Sequence, residues 1–519
     1  MQAENINNDI ILDYIEKLKK SNEKINFWYS YLNKKYNADD HVVYLGISLW
    51  ETLIGSLSVR DCFPPDAQCV RKNGFYYSML RKTKNLVKTT LCVCINVPNM
   101  FLRKIRKHNV SIVFTAFERR QISTFTEAIR ILEKKGEHYC VLTTNRPSHK
   151  FSKDFRSTDT VECLERYFPA TAYGEILLYF LAIRKWLNTV ANDERSVLET
   201  EQHRELGIVI TAIKNEVFKM LFFIKAAQQF FLRVSPQAII AADNADIRAR
   251  AVFLVAKKLA IATFHTTYGF IGYDCYEEKY PVAKIKFVFG ESQKEILTKN
   301  FGLEANTIQV IGCPRFDGLF KIRSTKQLGS NRTERLTILL GSQPSSTNGY
   351  SPLSREIKID RIKNLFSFAA AQRETIRIII KPHPDETLRE VKEIEDMARK
   401  FGVVFETVRH IDFKKINKEV DLFVTFISML ALEFMIIGVP VCFLVSVKNM
   451  PTLKKACDCG IATEVGPCND WKTYIEFIKK RDHSKEINNF SFFESEFTHI
   501  DGGVSQRLLE VIKKKVDMK

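Results

Sequence analysis

The sequence predicts an α/β protein with two parallel sheets. Short runs rich in Val, Ile and Phe alternate with longer helical stretches along most of the chain, and this alternation is typical of strand–helix–strand units. The alternation becomes regular after Pro236, is interrupted by the polar segment 321–335 and resumes at Leu336. At 519 residues the chain is long enough for two large domains. We therefore expect two α/β halves joined near residues 321–335.

The composition excludes a mainly disordered chain, because 45% of the residues are hydrophobic and 27% are charged, close to the globular average. Lys and Arg number 78 against 60 Asp and Glu, a net charge of +18. Such an excess suits phosphorylated substrates or anionic lipid. The basic residues are dispersed and form no arginine-rich arm, so we expect no nucleic-acid partner.

The first residues do not combine a basic segment with an apolar run, so we expect no secretory signal and a cytoplasmic location. The 12 cysteines include no CxxC pair, which favours free thiols over a zinc site.

The N-terminal part is predicted to contain helices and a first group of strands. A helical stretch covers Asp9–Tyr36, residues 146–205 are interpreted as a helical insertion that covers a cleft, and a long helix follows over Glu205–Val234. The strand candidates are His41–Ile47, Thr89–Ile95, Val110–Thr115 and Tyr139–Thr144.

The regular part is predicted to supply the remaining strands of both sheets. Those before the polar segment are Ala238–Ala242, Ile261–His265, Lys286–Phe289 and Thr307–Ile311. Those after it are Leu336–Leu340, Ile376–Ile380, Val403–Glu406, Leu422–Thr425 and Val439–Val445. The predicted domains are therefore residues 1–325 and 336–500, each Rossmann-like, followed by a C-terminal helix within 501–519.

The most apolar segment, Leu422–Val447, is long enough to cross a bilayer and contains a single charge, Glu433. Its punctuation by Ser428 and by the turn Gly438–Pro440 predicts strand, helix and strand instead. Parallel strands that are buried on both faces are this hydrophobic.

A possible anion site follows the strand Ile376–Ile380, where Lys381 and His383 alternate with two prolines. The prolines restrict the backbone, and both side chains can donate to phosphate oxygens. The alternative is a strand-end turn with an exposed lysine and a packed histidine.

A second anion site is predicted at residues 425–433. Thr425 ends a buried strand, and Ser428 is placed to cap the next helix, whose N-terminus could bind a phosphate. Glu433 lies in that helix among apolar residues and needs a partner, either a ribose diol or a buried Lys or Arg. Arg315 follows another strand and could contact phosphate or pair with Asp317.

Two residues are candidates for the general base that deprotonates an acceptor hydroxyl. Asp243 follows the strand Ala238–Ala242, and His265 ends the next strand. The alternatives are a helix-capping role for Asp243 and a buried structural role for His265.

Several phosphate-handling motifs are absent from the sequence, namely GxxxxGK[ST], GxGxxG after a strand, HExxH and DxD. We therefore expect no bound metal and no cofactor, and we expect side chains and helix ends to bind any phosphate.

The order of these motifs resembles the GT-B glycosyltransferases of bacterial surface polysaccharide synthesis, a group that is related to sialyl- and Kdo-type transferases and to CDP-glycerol glycerophosphotransferases. The resemblance spans residues 236–509 and rests on TTYGFIG, on FGESQKEILTKNFGLEANTIQVIGCPRFD, on IIIKPHP and on DLFVTFISMLALEFMIIGVPVCFL. It implies a cleft between two Rossmann-like domains, with the donor nucleotide bound by the second.

The resemblance also implies residue roles. His383 and the loop that bears Ser428 would bind the nucleotide phosphates, and Glu433 would contact the nucleoside or ribose. The family often has His-Gly where this chain has Tyr268-Gly269, and the nearest histidine is His265. This departure leaves the base open between Asp243 and His265.

These expectations combine into a metal-independent glycosyltransferase. It would move a sugar from a nucleotide-activated donor to a glycan or lipid-linked acceptor in capsule or lipopolysaccharide synthesis, at the inner face of an anionic membrane. Lys381 and Arg315 would assist His383 in stabilising the leaving phosphate. The alternatives are a CDP-polyol phosphotransferase, a nucleotide-sugar 2-epimerase and a catalytically inactive nucleotide-binding assembly protein.

Overall fold

The computed structural model describes residues 2–58, 110–144, 161–267, 269, 271–273, 275–323, 335–345, 353–448, 450–465, 471, 475, 490–498 and 500–517. The predicted strand Thr89–Ile95 and the residue Tyr268 lie outside the described residues.

The described helices of the first half are α1 (Gln2–Tyr36), α2 (Ala38–His41), α3 (Leu49–Ser58), α4 (Arg119–Ile122), α5 (Thr126–Lys135), α6 (Tyr173–Asp193), α7 (Thr200–Val234), α8 (Ile247–Lys258), α9 (Glu291–Phe301) and α10 (Asp317–Arg323). Those of the second half are α11 (Arg355–Ala371), α12 (Leu388–Phe401), α13 (Phe413–Glu419), α14 (Met429–Ile436), α15 (Pro451–Asp458), α16 (Phe490–Phe497) and α17 (Val504–Asp517).

The described strands of the first half are β1 (Val43–Tyr44), β2 (Ile47–Ser48), β3 (Ile112–Thr115), β4 (Tyr139–Thr143), β5 (Val161–Cys163), β6 (Ala238–Ala241), β7 (Ala262–Thr266), β8 (Ile285–Val288) and β9 (Ile308–Val310). Those of the second half are β10 (Leu336–Gly341), β11 (Ile376–Lys381), β12 (Phe405–Thr407), β13 (Leu422–Thr425), β14 (Val441–Phe443) and β15 (Ala462–Glu464).

Two parallel sheets organise the molecule. The first has the order β5-β4-β3-β6-β7-β8-β9 and the second the order β12-β11-β10-β13-β14-β15. In the second sheet the chain winds outward from β10 in both directions, which is the strand order of the Rossmann fold. The first sheet follows the same order with one extra strand. The predicted α/β class with two Rossmann-like sheets is confirmed.

The registers bring the carboxyl ends of four strands in the second sheet to one level. Gly341 lies opposite both Lys381 and Thr425, and Thr425 lies opposite Phe443. The winding direction reverses between β10 and β13, and ligands of such sheets bind in the crevice outside this point.

Two predicted elements of the N-terminal half need correction. His41–Ile47 is not one strand, because Leu45 and Gly46 turn with positive φ and β1 pairs with β2 antiparallel. The insertion 146–205 is not wholly helical, because β5 pairs with β4 at the edge of the first sheet. A three-residue edge strand buries few side chains and therefore leaves little periodicity in the sequence.

The apolar segment Leu422–Val447 folds as β13, α14 and β14, as predicted. Its strands are buried inside the second sheet. Among the described helices, none is long and apolar enough to span a bilayer.

The last helix, α17, returns to the first sheet. Its residues Val504, Leu508 and Ile512 belong to the same buried cluster as Phe114 of β3 and Phe264 of β7. Asp317 fixes the start of α17, since its carboxylate accepts hydrogen bonds from the backbone N–H groups of Val504 (3.1 Å) and Ser505 (2.7 Å). The chain thus crosses from the second domain back to the first.

Candidate functional site

The candidate site lies at the carboxyl edge of the second sheet, where the loops after β10, β11 and β13 meet. Gln343 follows β10, and its side-chain oxygen accepts a hydrogen bond from the backbone N–H of Ile427 after β13, at 3.1 Å. This bond connects the two loops that flank the reversal point between β10 and β13. The loops after β10 and β13 are therefore held together at this edge of the sheet.

Glu386 anchors the loop after β11. Its carboxylate accepts hydrogen bonds from the backbone N–H of His383 (2.6 Å), the hydroxyl of Ser342 (2.5 Å) and the ammonium group of Lys358 (2.6 Å). Both charged side chains are buried. A buried carboxylate needs such partners, so the pair ties the loop to β10 and to α11.

The predicted site residues do not include this buried pair, although the sequence carries one signal for it. Lys358 shares the spacing of Ile362, Leu365 and Ala369, all of which are buried on one face of α11. A lysine on an apolar helix face needs a buried acceptor.

His383 is partly exposed at this edge. Its Nδ1 accepts a hydrogen bond from the backbone N–H of Asp385 at 3.2 Å. A neutral ring whose Nδ1 accepts carries its proton on Nε2. His383 can therefore donate from Nε2 to an anionic group.

Lys381 ends β11, and its ammonium group donates to the carbonyl of Pro382 at 2.7 Å. Desolvation lowers the pKa of Lys381, while Glu386 and Glu433 act in the opposite direction. Lys381 thus places an ammonium group in a half-buried position, two residues before His383 in the sequence.

Ser428 caps α14, as predicted, because its hydroxyl accepts a hydrogen bond from the backbone N–H of Leu430 at 3.2 Å. The positive end of the helix dipole therefore lies at the same edge as Lys381.

Thr425 needs correction, because its side chain cannot reach a ligand. It is fully buried, and its hydroxyl donates to the carbonyl of Gly341 at 2.9 Å. Thr425 packs closely against Gly341, since a Cβ at Gly341 would lie 3.2 Å from the Thr425 hydroxyl oxygen and 2.7 Å from the ring of Phe423.

Arg315 and Glu433 form an ion pair that joins the two domains. Arg315 follows β9 of the first sheet, whereas Glu433 lies in α14 and is only 2% exposed. Desolvation raises the pKa of Glu433, and Arg315 and Lys381 oppose this rise. Of the alternatives open for Glu433, the structure supplies an arginine, which is partly buried. Arg315 does not pair with Asp317, which caps α17 instead.

Asp243 lies at the carboxyl edge of the first sheet. Its Oδ1 accepts hydrogen bonds from the backbone N–H groups of Ala245 (2.8 Å) and Asp246 (2.9 Å), and its Oδ2 accepts one from the side chain of Gln121 (2.8 Å). Asp246 is the residue that caps α8. Asp243 therefore holds the turn before the helix.

His265 is buried instead of facing an open cleft, which corrects the expectation for this residue. It is 4% exposed, and its Nδ1 lies 2.9 Å from the ammonium nitrogen of Lys286, which also pairs with Glu278. Desolvation, Lys286 and Arg250 hold the pKa of His265 well below its usual value. The neutral ring accepts a hydrogen bond from Lys286, so the geometry favours the structural alternative.

The two carboxyl edges approach each other at α14. A Cβ at Gly269, in the loop after β7, would lie 3.8 Å from Cγ of Met429, the first residue of α14. The GT-B fold is defined by two Rossmann-like domains whose carboxyl edges face each other. The chain has a GT-B fold.

Solved structures of nucleotide-sugar enzymes are similar to this chain, and two of the three named here contain a nucleotide ligand. The UDP-GlcNAc 2-epimerase from Neisseria meningitidis bound to UDP-GlcNAc matches with a TM-score of 0.52 and 14% identity, over 78% of this chain and 100% of that one. The UDP-N-acetylglucosamine 2-epimerase from Rickettsia bellii matches with a TM-score of 0.51 and 13% identity, over 79% and 98%. The S. aureus MnaA–UDP co-structure matches with a TM-score of 0.50 and 14% identity, over 79% and 98%.

Residues 276–514 match the family described as CDP-Glycerol:Poly(glycerophosphate) glycerophosphotransferase. No curated protein is similar to the chain in sequence. The matched range contains every residue predicted on the donor side, whereas Asp243 and His265 precede it. The match and the GT-B fold support an enzyme of the nucleotide-sugar or polyol-phosphate transferase type.

Within the part of the chain that the structure describes, no three His, Cys, Asp or Glu side chains are grouped as metal ligands.

Proposed function

We propose that this GT-B protein transfers a polyol phosphate from a CDP-linked donor to a hydroxyl group of a surface polymer or its lipid-linked precursor. The observation that carries the proposal is the family match over residues 276–514. This range includes the cationic edge formed by Lys381, His383 and the N-terminus of α14.

The reaction makes demands that this edge can meet. The acceptor oxygen attacks the phosphorus that bears the polyol, a P–O bond forms, and the bond from this phosphorus to the bridging oxygen breaks. CMP leaves with the electron pair, and the acceptor proton passes to a base. Negative charge grows on the leaving phosphate, so the Nε2–H group of His383 and the ammonium group of Lys381 would stabilise it.

Glycosyl transfer is the second candidate, and the nucleotide-sugar enzymes among the structural neighbours favour it. Here the acceptor oxygen attacks the anomeric carbon, and a nucleoside diphosphate leaves. The same two donors, Nε2–H of His383 and the ammonium group of Lys381, would stabilise the leaving group. Asp243 would accept the proton in either reaction, because it is the partly exposed candidate of the two.

The fate of the β-phosphorus separates the reactions. The protein is incubated with CDP-glycerol or UDP-GlcNAc labelled with ³²P at the β-position, together with a glycerol phosphate primer. Label in the primer and release of CMP are the expected result. Label in a released nucleoside diphosphate would establish glycosyl transfer instead.

Two other outcomes would overturn both candidates. Conversion of UDP-GlcNAc to its 2-epimer without an acceptor would identify an epimerase, and donor binding without turnover would identify an inactive binding protein. The variant His383→Ala should lose activity, whereas His410→Ala, at an exposed histidine after β12, is the matched control.

A further inference from the structure

The helix α6 has an apolar surface that faces away from the protein. Leu177, Leu178 and Leu181 are 38%, 70% and 52% exposed. They lie on one face, because residues three and four apart are neighbours on a helix. The opposite face of α6 is buried through Ile176, Ile183, Leu187 and Val190, so the helix is anchored by that side alone.

The charges on this face of α6 have one sign. Arg184 and Lys185 follow on the same face, one turn after the leucines, and both are exposed. No Asp or Glu occurs between Ile176 and Asn192. The flanking Glu175 is engaged by Lys225 (3.2 Å) and by the hydroxyl of Tyr44 (2.8 Å).

The two cations are available to an external anion. Neither Arg184 nor Lys185 forms an ion pair with another residue that the structure describes, and the guanidinium of Arg184 lies 5.2 Å from the ring centre of Phe180. We propose that the exposed face of α6, formed by Leu177, Leu178, Leu181, Arg184 and Lys185, docks this protein onto an anionic lipid bilayer.

The chemistry of this face fits a bilayer surface. Exposed leucines can enter the boundary between headgroups and acyl chains, while Arg and Lys extend their charges to the lipid phosphates. The net charge of +18 adds a long-range attraction to anionic lipid. The proposal concerns α6 alone and does not depend on which reaction the enzyme performs.

The test measures binding of the full chain to vesicles without donor or acceptor. Vesicles that contain phosphatidylglycerol should bind the protein, and vesicles of phosphatidylcholine alone should bind it much less. The double variants Leu178→Ser/Leu181→Ser and Arg184→Gln/Lys185→Gln should each bind the anionic vesicles about tenfold more weakly.

The second domain offers matched controls on α12. Leu388 is 75% exposed, and Lys392 and Lys400 are exposed. However, this helix also carries Glu390, Glu393, Glu395 and Asp396. Leu388→Ser and Lys392→Gln/Lys400→Gln should therefore leave vesicle binding unchanged. Equal losses in the α6 and α12 variants would overturn the proposal, because general charge or hydrophobicity would then explain binding.

Insertion has a direct readout. Leu178→Trp should be quenched by brominated lipids in the anionic vesicles, whereas Leu388→Trp should not be. Absence of this differential quenching would overturn the proposal. So would concentration-dependent self-association in sedimentation that Leu178→Ser/Leu181→Ser abolishes, since the face would then be an interface between copies.

Discussion

At the residue scale, the hydrogen bonds of Asp243 decide how its proposed role as a base can be tested. Both of its oxygens accept structural bonds, and Gln121 donates to Oδ2. The amide of Gln121 is oriented, because its oxygen accepts from the backbone N–H groups of Phe117 (2.7 Å) and Glu118 (3.2 Å). In Asp243→Asn, two NH₂ groups would therefore face each other.

We predict that Asp243→Asn lowers both stability and activity, and that adding Gln121→Glu restores stability alone. The glutamate would accept the two backbone hydrogen bonds that Gln121 now accepts, and a third from the amide introduced at position 243. This should recover about 1–3 kcal/mol of the free energy of unfolding. Loss of the base should keep kcat reduced by roughly 10²–10⁴-fold in the double variant. Thermal unfolding and initial rates provide the two readouts, and a double variant with normal kcat would exclude Asp243 as the base.

The second residue-scale prediction concerns pH and His265. Its pKa in the folded state lies well below 6.5, so the unfolded chain takes up a proton near pH 6.5 that the folded protein does not. Stability should therefore fall as the pH drops below about 6.5, by up to about 1.4 kcal/mol per pH unit. His265→Gln should make this fall in stability shallower, because glutamine takes up no proton in this pH range. Its side-chain oxygen can still accept the hydrogen bond from Lys286.

Urea denaturation between pH 5.5 and 7.5 measures this slope, with His410→Gln as the matched control. An unchanged slope in His265→Gln would contradict the assignment of a buried neutral ring. The sequence suggested a base at this position because it ends a strand. It could not reveal that Lys286, on a later strand, bonds to the ring and is itself paired with Glu278.

At the element scale, α14 provides a test that separates capping from ligand binding. Ser428 caps α14 and Ser354 caps α11, each through its hydroxyl. Replacing either serine by alanine should cost about 1 kcal/mol of stability. We predict that Ser428→Ala weakens donor binding more than Ser354→Ala does, because Ser428 lies three positions after Thr425, the last residue of β13, whereas Ser354 lies 13 positions after Gly341, the last residue of β10. Calorimetric titration with CMP and CDP measures this, and equal affinities in the two variants would exclude a donor role for Ser428.

The buried pair of Lys358 and Glu386 yields another element-scale prediction. Lys358→Met leaves a buried carboxylate without its cation, which should destabilise the second domain by about 3–5 kcal/mol. Adding Glu386→Gln removes the charge while the amide oxygen can still accept from His383, so the double variant should recover most of the loss. Chemical denaturation measures the recovery. A double variant as unstable as the single one would show that the charge is not the cause.

The elements themselves were largely predictable, because buried parallel strands carry continuous apolar runs. Strands such as Leu422–Thr425 and Ile376–Lys381 were found within one residue of their structural bounds. The errors fall where local sequence carries little information. Examples are the turn at Leu45–Gly46, the short edge strand β5, and the hydroxyl of Thr425, whose acceptor lies 84 positions earlier in the chain.

At the scale of the whole molecule, Asp317 links an early part of the family-matched region to its last helix, α17. We predict that Asp317→Ala loosens α17 from the first domain, because two backbone N–H groups at its start lose their acceptor. The matched control is Asp412→Ala, which removes the cap of α13 in the second domain. Hydrogen exchange should rise in residues 504–517 in the first variant only. A uniform rise across both domains would contradict this link.

The return of α17 to the first sheet also has a consequence for synthesis. A ribosome produces β3 to β9 and then about 200 further residues before it produces Val504, Leu508 and Ile512, which complete the core around Phe114 and Phe264. Domains generally fold as they emerge, yet this one stays open on that face throughout the synthesis of its neighbour. A nascent chain that stops after the second sheet would expose an apolar surface to chaperones and proteases. In this protein the first domain is thus the last to be finished.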